Sequence, residues 1–93
     1  MGIGKLKRSV IESYLSEMPQ RIERISAAIH ASDLQAAERE VLGARAMTLM
    51  IGAVSTARCL VALTEQIQEK RLAEAHAMLA RFRTEAEAAA SPR

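Results

Sequence analysis

Between residues 34 and 51 the apolar and small residues Leu34, Ala37, Val41, Ala44, Thr48 and Ile51 recur at spacings of three, four, three, four and three. A strand would alternate every second residue, whereas this period puts all six on one side of a helix. The same rhythm returns in residues 72–86, where Leu72, Ala75, Leu79, Phe82 and Ala86 run three, four, three, four. Each seam is one apolar stripe on an otherwise polar rod, and each needs another helix to cover it. The feature that constrains this chain most is therefore a set of amphipathic helices with few residues between them.

The remaining segments follow the pattern. Residues 5–18 carry Val10, Ile11, Tyr14, Leu15 and Met18 on one face. Pro19 then interrupts, either ending that helix or sitting in the first turn of the next, where its missing N–H costs nothing. Residues 19–30 carry Ile22, Ile25 and Ile29, with Arg21, Glu23 and Arg24 facing away. After Ala31-Ser32-Asp33, in which Asp33 or Ser32 suits an N-cap, comes the helix of residues 34–50. Gly52 takes positive φ cheaply and turns the chain. Residues 54–69 carry a row of Val54, Ala57, Val61, Thr64 and Ile67 widened by Leu60 and Leu63, with Ser55 or Thr56 to cap its start. The tail from Ala88 to Arg93 is expected to fray.

Short connections between helices make antiparallel neighbours. The expected fold is all-α: an antiparallel up-down-up-down four-helix bundle with an additional N-terminal helix. The 93 residues form one domain, ordered over about residues 5–89. Composition agrees, since strong helix formers abound and aromatics are only 2%. A chain this long buries roughly 60–70% of its unfolded surface.

Several function classes are disfavoured. The net charge is +2, but the basic residues are interleaved with acidic ones and only Lys5-Leu6-Lys7-Arg8 clusters. A nucleic-acid footprint needs a basic stripe with stacking aromatics, and Tyr14 and Phe82 are the only aromatics. No run approaches the ~20 apolar residues that cross a bilayer, and no signal-peptide core follows the first basic residues. One cysteine, Cys59, leaves no internal disulfide and suits a reducing compartment. These points imply a cytoplasmic chain with neither a nucleic-acid nor a membrane partner.

Catalytic constellations are also missing. His30 and His76 read as ordinary solvated helix residues, His76 lying at the edge of its seam. Glu74 and His76 are two apart and point in different directions on a helix, so no metal or cofactor is expected. Cys59, beside Arg58, reads as a small packing residue rather than a reactive thiol. Charged neighbours such as Glu17 and Arg21, or Glu38 and Arg45, have the spacing of solvated helix faces and imply no chemistry.

One face remains. At 100° per residue, Glu38, Leu42, Arg45, Ala46 and Leu49 lie together, rotated away from the Val41–Ala44–Thr48 seam. Either the central helix is buried over a wide arc, or these residues form a patch for a partner.

Here the residues reach a resemblance. From Ser9 to Ala86 the chain resembles a histidine-containing phosphotransfer domain, a helical module of bacterial phosphorelays. The family's opening pattern F-L-x-x-x-P-x-R is matched by Tyr14-Leu15-Ser16-Glu17-Met18-Pro19-Gln20-Arg21. An apolar helix, Ile22 to Ile29, and an acidic step, Ser32-Asp33-Leu34-Gln35-Ala36-Ala37, follow. The family's site motif, H-x-L-K-G-x-A-x-x-L-G-A, is set in register by Asp33 on one side and Ile51-Gly52-Ala53 on the other, with no gap. Leu60 and Leu63 match the apolar pattern of the next helix.

The resemblance implies that Leu42 stands where the phosphorylatable histidine belongs. Ala44 takes a buried leucine position, Arg45 the basic position near the phosphoryl group, and Ala46 the small position over which a receiver domain docks. It implies a response-regulator receiver domain or a hybrid sensor kinase as partner, and a monomer. It also implies no enzyme activity, because phosphotransfer needs a ring nitrogen to attack the aspartyl phosphate and leucine has no lone pair. The alternative, independent of the resemblance, is a structural bundle whose apolar face mediates self-association or binds an unrelated protein.

Overall fold

A computed structural model of the chain describes the backbone of residues 2–90 and the side chains of residues 8–90. The described residues form four helices: α1 (Gly2–His30), α2 (Leu34–Met50), α3 (Val54–Gln68) and α4 (Leu72–Ala90). Each packs on the next in sequence, and α4 closes the ring against α1. The body is 46 × 19 × 15 Å, its long axis close to the length of α1 alone, about 43 Å at 1.5 Å per residue.

The separate N-terminal helix expected before Pro19 does not form. Pro19 lies inside the continuous, 29-residue α1. A proline in a helix interior costs about 3 kcal/mol through its lost N–H and its clash with the preceding turn. The opposing term is larger. Tyr14, Met18, Ile22, Ile25 and Ile29 form one unbroken buried row through the proline, and Pro19 itself is on the exposed side. At about 1.5–3 kcal/mol per buried side chain, keeping that row in register outweighs the local defect. Leu15, expected on this stripe, lies beside the row and is 41% exposed.

The seam of α2 is as expected: Ala37, Val41, Ala44 and Thr48 are buried, with Leu34 and Ile51 half-buried at its ends. These are small residues, so the backbone of α2 lies close to the large side chains of α1. The buried face of α3 differs from expectation. It consists of Thr56, Ala57, Cys59, Leu60, Leu63 and Ile67, while Val54 and Val61 are turned outward. Two rows of apolar residues compete on this helix, and burying Leu60, Leu63 and Cys59 removes more apolar area than burying two valines. The α4 seam of Ala75, Leu79, Phe82 and Ala86 is buried as expected. It continues to Ala90, so the alanines at 88–90, expected to fray, are helical. Residues 91–93 of that expected tail lie outside the described residues.

The three connections, residues 31–33, 51–53 and 69–71, have one geometry. In each, two successive backbone N–H groups bond back to the helix end: Ser32 to Ile29 and Asp33 to Ala28, Gly52 to Leu49 and Ala53 to Thr48, Lys70 to Ile67 and Arg71 to Gln66. This is the Schellman motif, which satisfies otherwise orphaned carbonyls. Its left-handed residue is Ser32 (φ 57°), Gly52 (φ 79°) or Lys70 (φ 61°). Asp33 then caps α2, its Oδ1 accepting from the Ala36 N–H at 3.2 Å. Ser55 and Thr56 do not cap α3. The turn leaves Ala53 at the N-cap position with no side-chain bond, which puts both residues already inside the first turn.

One polar chain crosses the core. Thr48 donates its hydroxyl proton to the Ala44 carbonyl at 2.8 Å, so Tyr14 is the donor in its 2.9 Å bond to Thr48 Oγ1. Burial pushes the Tyr14 ionisation upward, and the Thr48 contact offsets this in part. We expect Tyr14→Phe to cost about 1 kcal/mol, and Thr48→Val about 1–3 kcal/mol because the tyrosine hydroxyl is then buried without a partner. The double variant should be less destabilised than the sum of the two. Urea unfolding of all four proteins measures the coupling, and additive losses would contradict it.

Candidate functional site

The outer face of α2 is open. Leu42 is 64% exposed and Leu49 is 45% exposed. Arg45 and Ala46 are exposed beside them, and Glu38 is half-buried at the edge. The fold thus brings the five singled-out residues onto one accessible strip, not into a wide buried arc. Arg45 makes no ion pair or hydrogen bond among the described residues, leaving its guanidinium available.

Each side of the strip has its own border. Towards α3, the residues Glu38, Val41, Leu42 and Arg45 face Val61, Thr64, Glu65 and Gln68 across a shallow groove. The outward turn of Val61, 39% exposed, extends the apolar surface of Leu42 onto the neighbouring helix. Towards α1, the border is a charged clamp. Arg21 Nη1 reaches Glu40 Oε1 at 3.1 Å, and Arg24 Nε reaches Glu40 Oε2 at 3.1 Å. The charged neighbours read along the sequence, Glu17 with Arg21 and Glu38 with Arg45, are thus not the pairs the fold makes. The guanidinium of Arg21 lies over Gly43, where a Cβ would collide with it. A glycine inside a helix costs about 1 kcal/mol relative to alanine. Gly43 accepts that cost because a side chain there would displace the arginine that ties α1 to α2 beside the open strip.

The strip has no nucleophile. Leu42 offers only carbon, and its helical neighbours are apolar, glycine or charged. Cys59 is buried at 7% exposure, on the opposite side of α3 from the groove. Its thiol donates to Glu85 Oε1 at 3.4 Å, and Glu85 is held by Arg81 at 2.9 Å. Burial, then the Glu85 carboxylate, pushes the thiol upward, away from the reactive thiolate. Arg81, then the Cys59 thiol, holds Glu85 below its ordinary range.

The two histidines are where the sequence reading placed them, His30 exposed and His76 half-buried, but their proximity was not read. His30 ends α1 and His76 lies one turn into α4, yet their ring centres are 4.5 Å apart with the planes tilted by 43°. They form a ring pair on the α1–α4 seam rather than on the α2 strip. The signal was present but indirect: the C-terminal end of the first helix and the start of the last come to the same end of the molecule. Among the described residues, no group of three or more His, Cys, Asp or Glu is placed to hold a metal ion. Nor is any helix there long and apolar enough to cross a membrane.

Compared with known proteins, the chain matches no family model, no curated protein and no solved structure.

Proposed function

We propose that this chain is a phosphotransfer-like module of a bacterial two-component system that binds a receiver domain without passing on phosphate. The helices, joined by three-residue turns and packed in a ring, are read as the up-down-up-down bundle of that family. The observation that carries the proposal is the 64% exposure of Leu42 on a strip whose other members, Arg45 and Ala46, are also accessible. An apolar residue this exposed on a regular helix is either incidental or a contact, and Leu42 continues into Leu49 and Val61. Leu42, Ala46 and Leu49 form the apolar centre of the interface. Arg45, unpaired and at the rim, faces the acidic phosphoacceptor pocket of the receiver, where opposite charge raises the association rate. Such an interface is small, about 1,000 Å² in total. Each leucine it covers contributes roughly 1.5–3 kcal/mol before the costs of association. The chain then acts in the cytoplasm as an adaptor, or as a decoy that occupies the receiver of a response regulator or hybrid sensor kinase.

Titration of isotopically labelled protein with candidate receivers tests this reading. The expected result is chemical-shift change confined to Glu38, Leu42, Arg45, Ala46, Leu49 and the facing edge of α3. Leu42→Asp should weaken binding at least about tenfold, or about 1.4 kcal/mol, without loss of helix. Perturbations that avoid α2, or binding unaffected by Leu42→Asp, would exclude the strip as the docking surface.

A second reading has its own observation. Met50 (69% exposed) and Val54 (54% exposed) extend the apolar surface past the strip to the α2–α3 turn, which suits self-association. A mass that rises with concentration and returns to that of one chain in Leu49→Asp would favour it over receiver binding.

A further inference from the structure

The His30–His76 pair is a cross-helix arrangement that the α2 strip does not use. A first-row metal ion bound by one nitrogen of each ring lies about 2.0–2.1 Å from each nitrogen. It therefore lies roughly 3.2 Å from each ring centre, and two such bonds at a right angle hold the ring centres about 4.5 Å apart. The observed separation is 4.5 Å, a spacing from which both imidazoles can reach one first-row ion.

We infer that His30 and His76 form a two-histidine chelate for a divalent late first-row transition ion, for which imidazole nitrogen is a fitting ligand. Each imidazole binds through one neutral nitrogen, and solvent completes the coordination. His30 is exposed, so its ring can turn toward a shared ion without displacing packed core. His76 is half-buried beside Ile22, Ser26, Leu79 and Ala80, which holds the second ligand in place. Arg83 also borders that cleft, and its positive charge opposes a cation there. The ligands come from α1 and α4, the two helices whose contact closes the ring. The ion therefore acts as a clip on that closing seam and stabilises the folded chain, because the unfolded chain does not hold the two rings together.

Nickel is the appropriate probe, since copper(II) can oxidise the single thiol at Cys59. Titration of the intact protein with Ni2+ at neutral pH should show one saturable equivalent by calorimetry. The thermal unfolding midpoint should rise and return to its starting value on adding a chelator. His30→Ala and His76→Gln should each abolish the saturable equivalent and the shift while keeping the metal-free helical spectrum. Weak binding by the terminal amine is common to all three proteins and cancels in the comparison. Two results would overturn the inference: a metal-dependent shift that survives in either variant, or no shift in the unsubstituted protein at millimolar Ni2+. Should His76→Gln lose its fold, His30→Ala alone decides, because residue 30 is exposed and its loss leaves the core intact.

Discussion

On the proposed receiver-binding reading, Leu42→His is expected to create a phosphoryl acceptor on the α2 strip. The substitution puts an imidazole on an exposed position of a regular helix, next to Arg45 and Ala46, without disturbing the buried seam. A receiver phosphorylated on its aspartate would then dock, and an imidazole nitrogen would attack the phosphorus as the P–O bond to the carboxylate breaks. The product is an acid-labile phosphoramidate on the variant, and the unsubstituted protein should give none. The effect is a change from no transfer to measurable transfer, read as labelled phosphate moving from receiver to variant. If a folded variant binds the receiver but takes no phosphate, more than the nucleophile has been lost and the register placing Leu42 at the histidine position is wrong. If it does not bind a receiver at all, docking itself fails. Leu42 is too exposed for the substitution to act through stability: surface changes of this kind usually fall within about 0.5 kcal/mol.

The opposite behaviour is expected at Phe82. It is fully buried at 0% exposure on the inner row of α4 and is the only phenylalanine. Phe82→Ala should cost about 3–5 kcal/mol, combining lost transfer energy with a cavity that the neighbouring side chains fill only in part. Domains of this size have roughly 5–15 kcal/mol in total, so the variant keeps a fraction of its stability. The midpoint of thermal unfolding should fall by about 12–40 °C, at roughly 4–8 °C per kcal/mol for a chain of this length. Denaturant unfolding gives the same comparison without heating. A loss below about 1 kcal/mol would mean that the core is not arranged around α4 as described. Together, Leu42 and Phe82 separate the two surfaces of the molecule: one substitution should alter recognition without altering stability, and the other the reverse.

Much of the fold was legible because it is written in local periodicity. The seam of α2, the Asp33 cap and the Gly52 turn are all decided within a few residues, and each is where the sequence put it. What was misread depended on competition between distant terms. Pro19 marks a break locally, but the buried row from Tyr14 to Ile29 carries the helix through it. Val54 and Val61 fit a helical row as well as Leu60 and Leu63 do, and only packing against α2 and α4 selects between them. The clamp of Arg21 over Gly43 to Glu40 joins residues 19 apart, and the His30–His76 pair joins residues farther apart still. No spacing rule reaches that far. Of the five strip residues, the sequence indicated that they share a face, but not whether another helix would cover it. Their exposure follows from the position of α3, which faces the strip only across the shallow groove bordered by Val61, Thr64, Glu65 and Gln68.

The connections between helices bear on how the chain folds. Each turn is only three residues long and joins helices that touch, so three of the four helix–helix seams form between neighbours in sequence. Closing a loop this short takes little entropy, and chains dominated by such local contacts fold in microseconds to milliseconds. The remaining seam, α1 against α4, joins the two ends of the chain and carries the long closure. Substitutions on that seam should therefore report on the order of events. If the ends meet last, weakening the seam speeds unfolding and leaves the folding rate nearly unchanged. Helix pairs would assemble first, and the meeting of the first and last helices would complete the core.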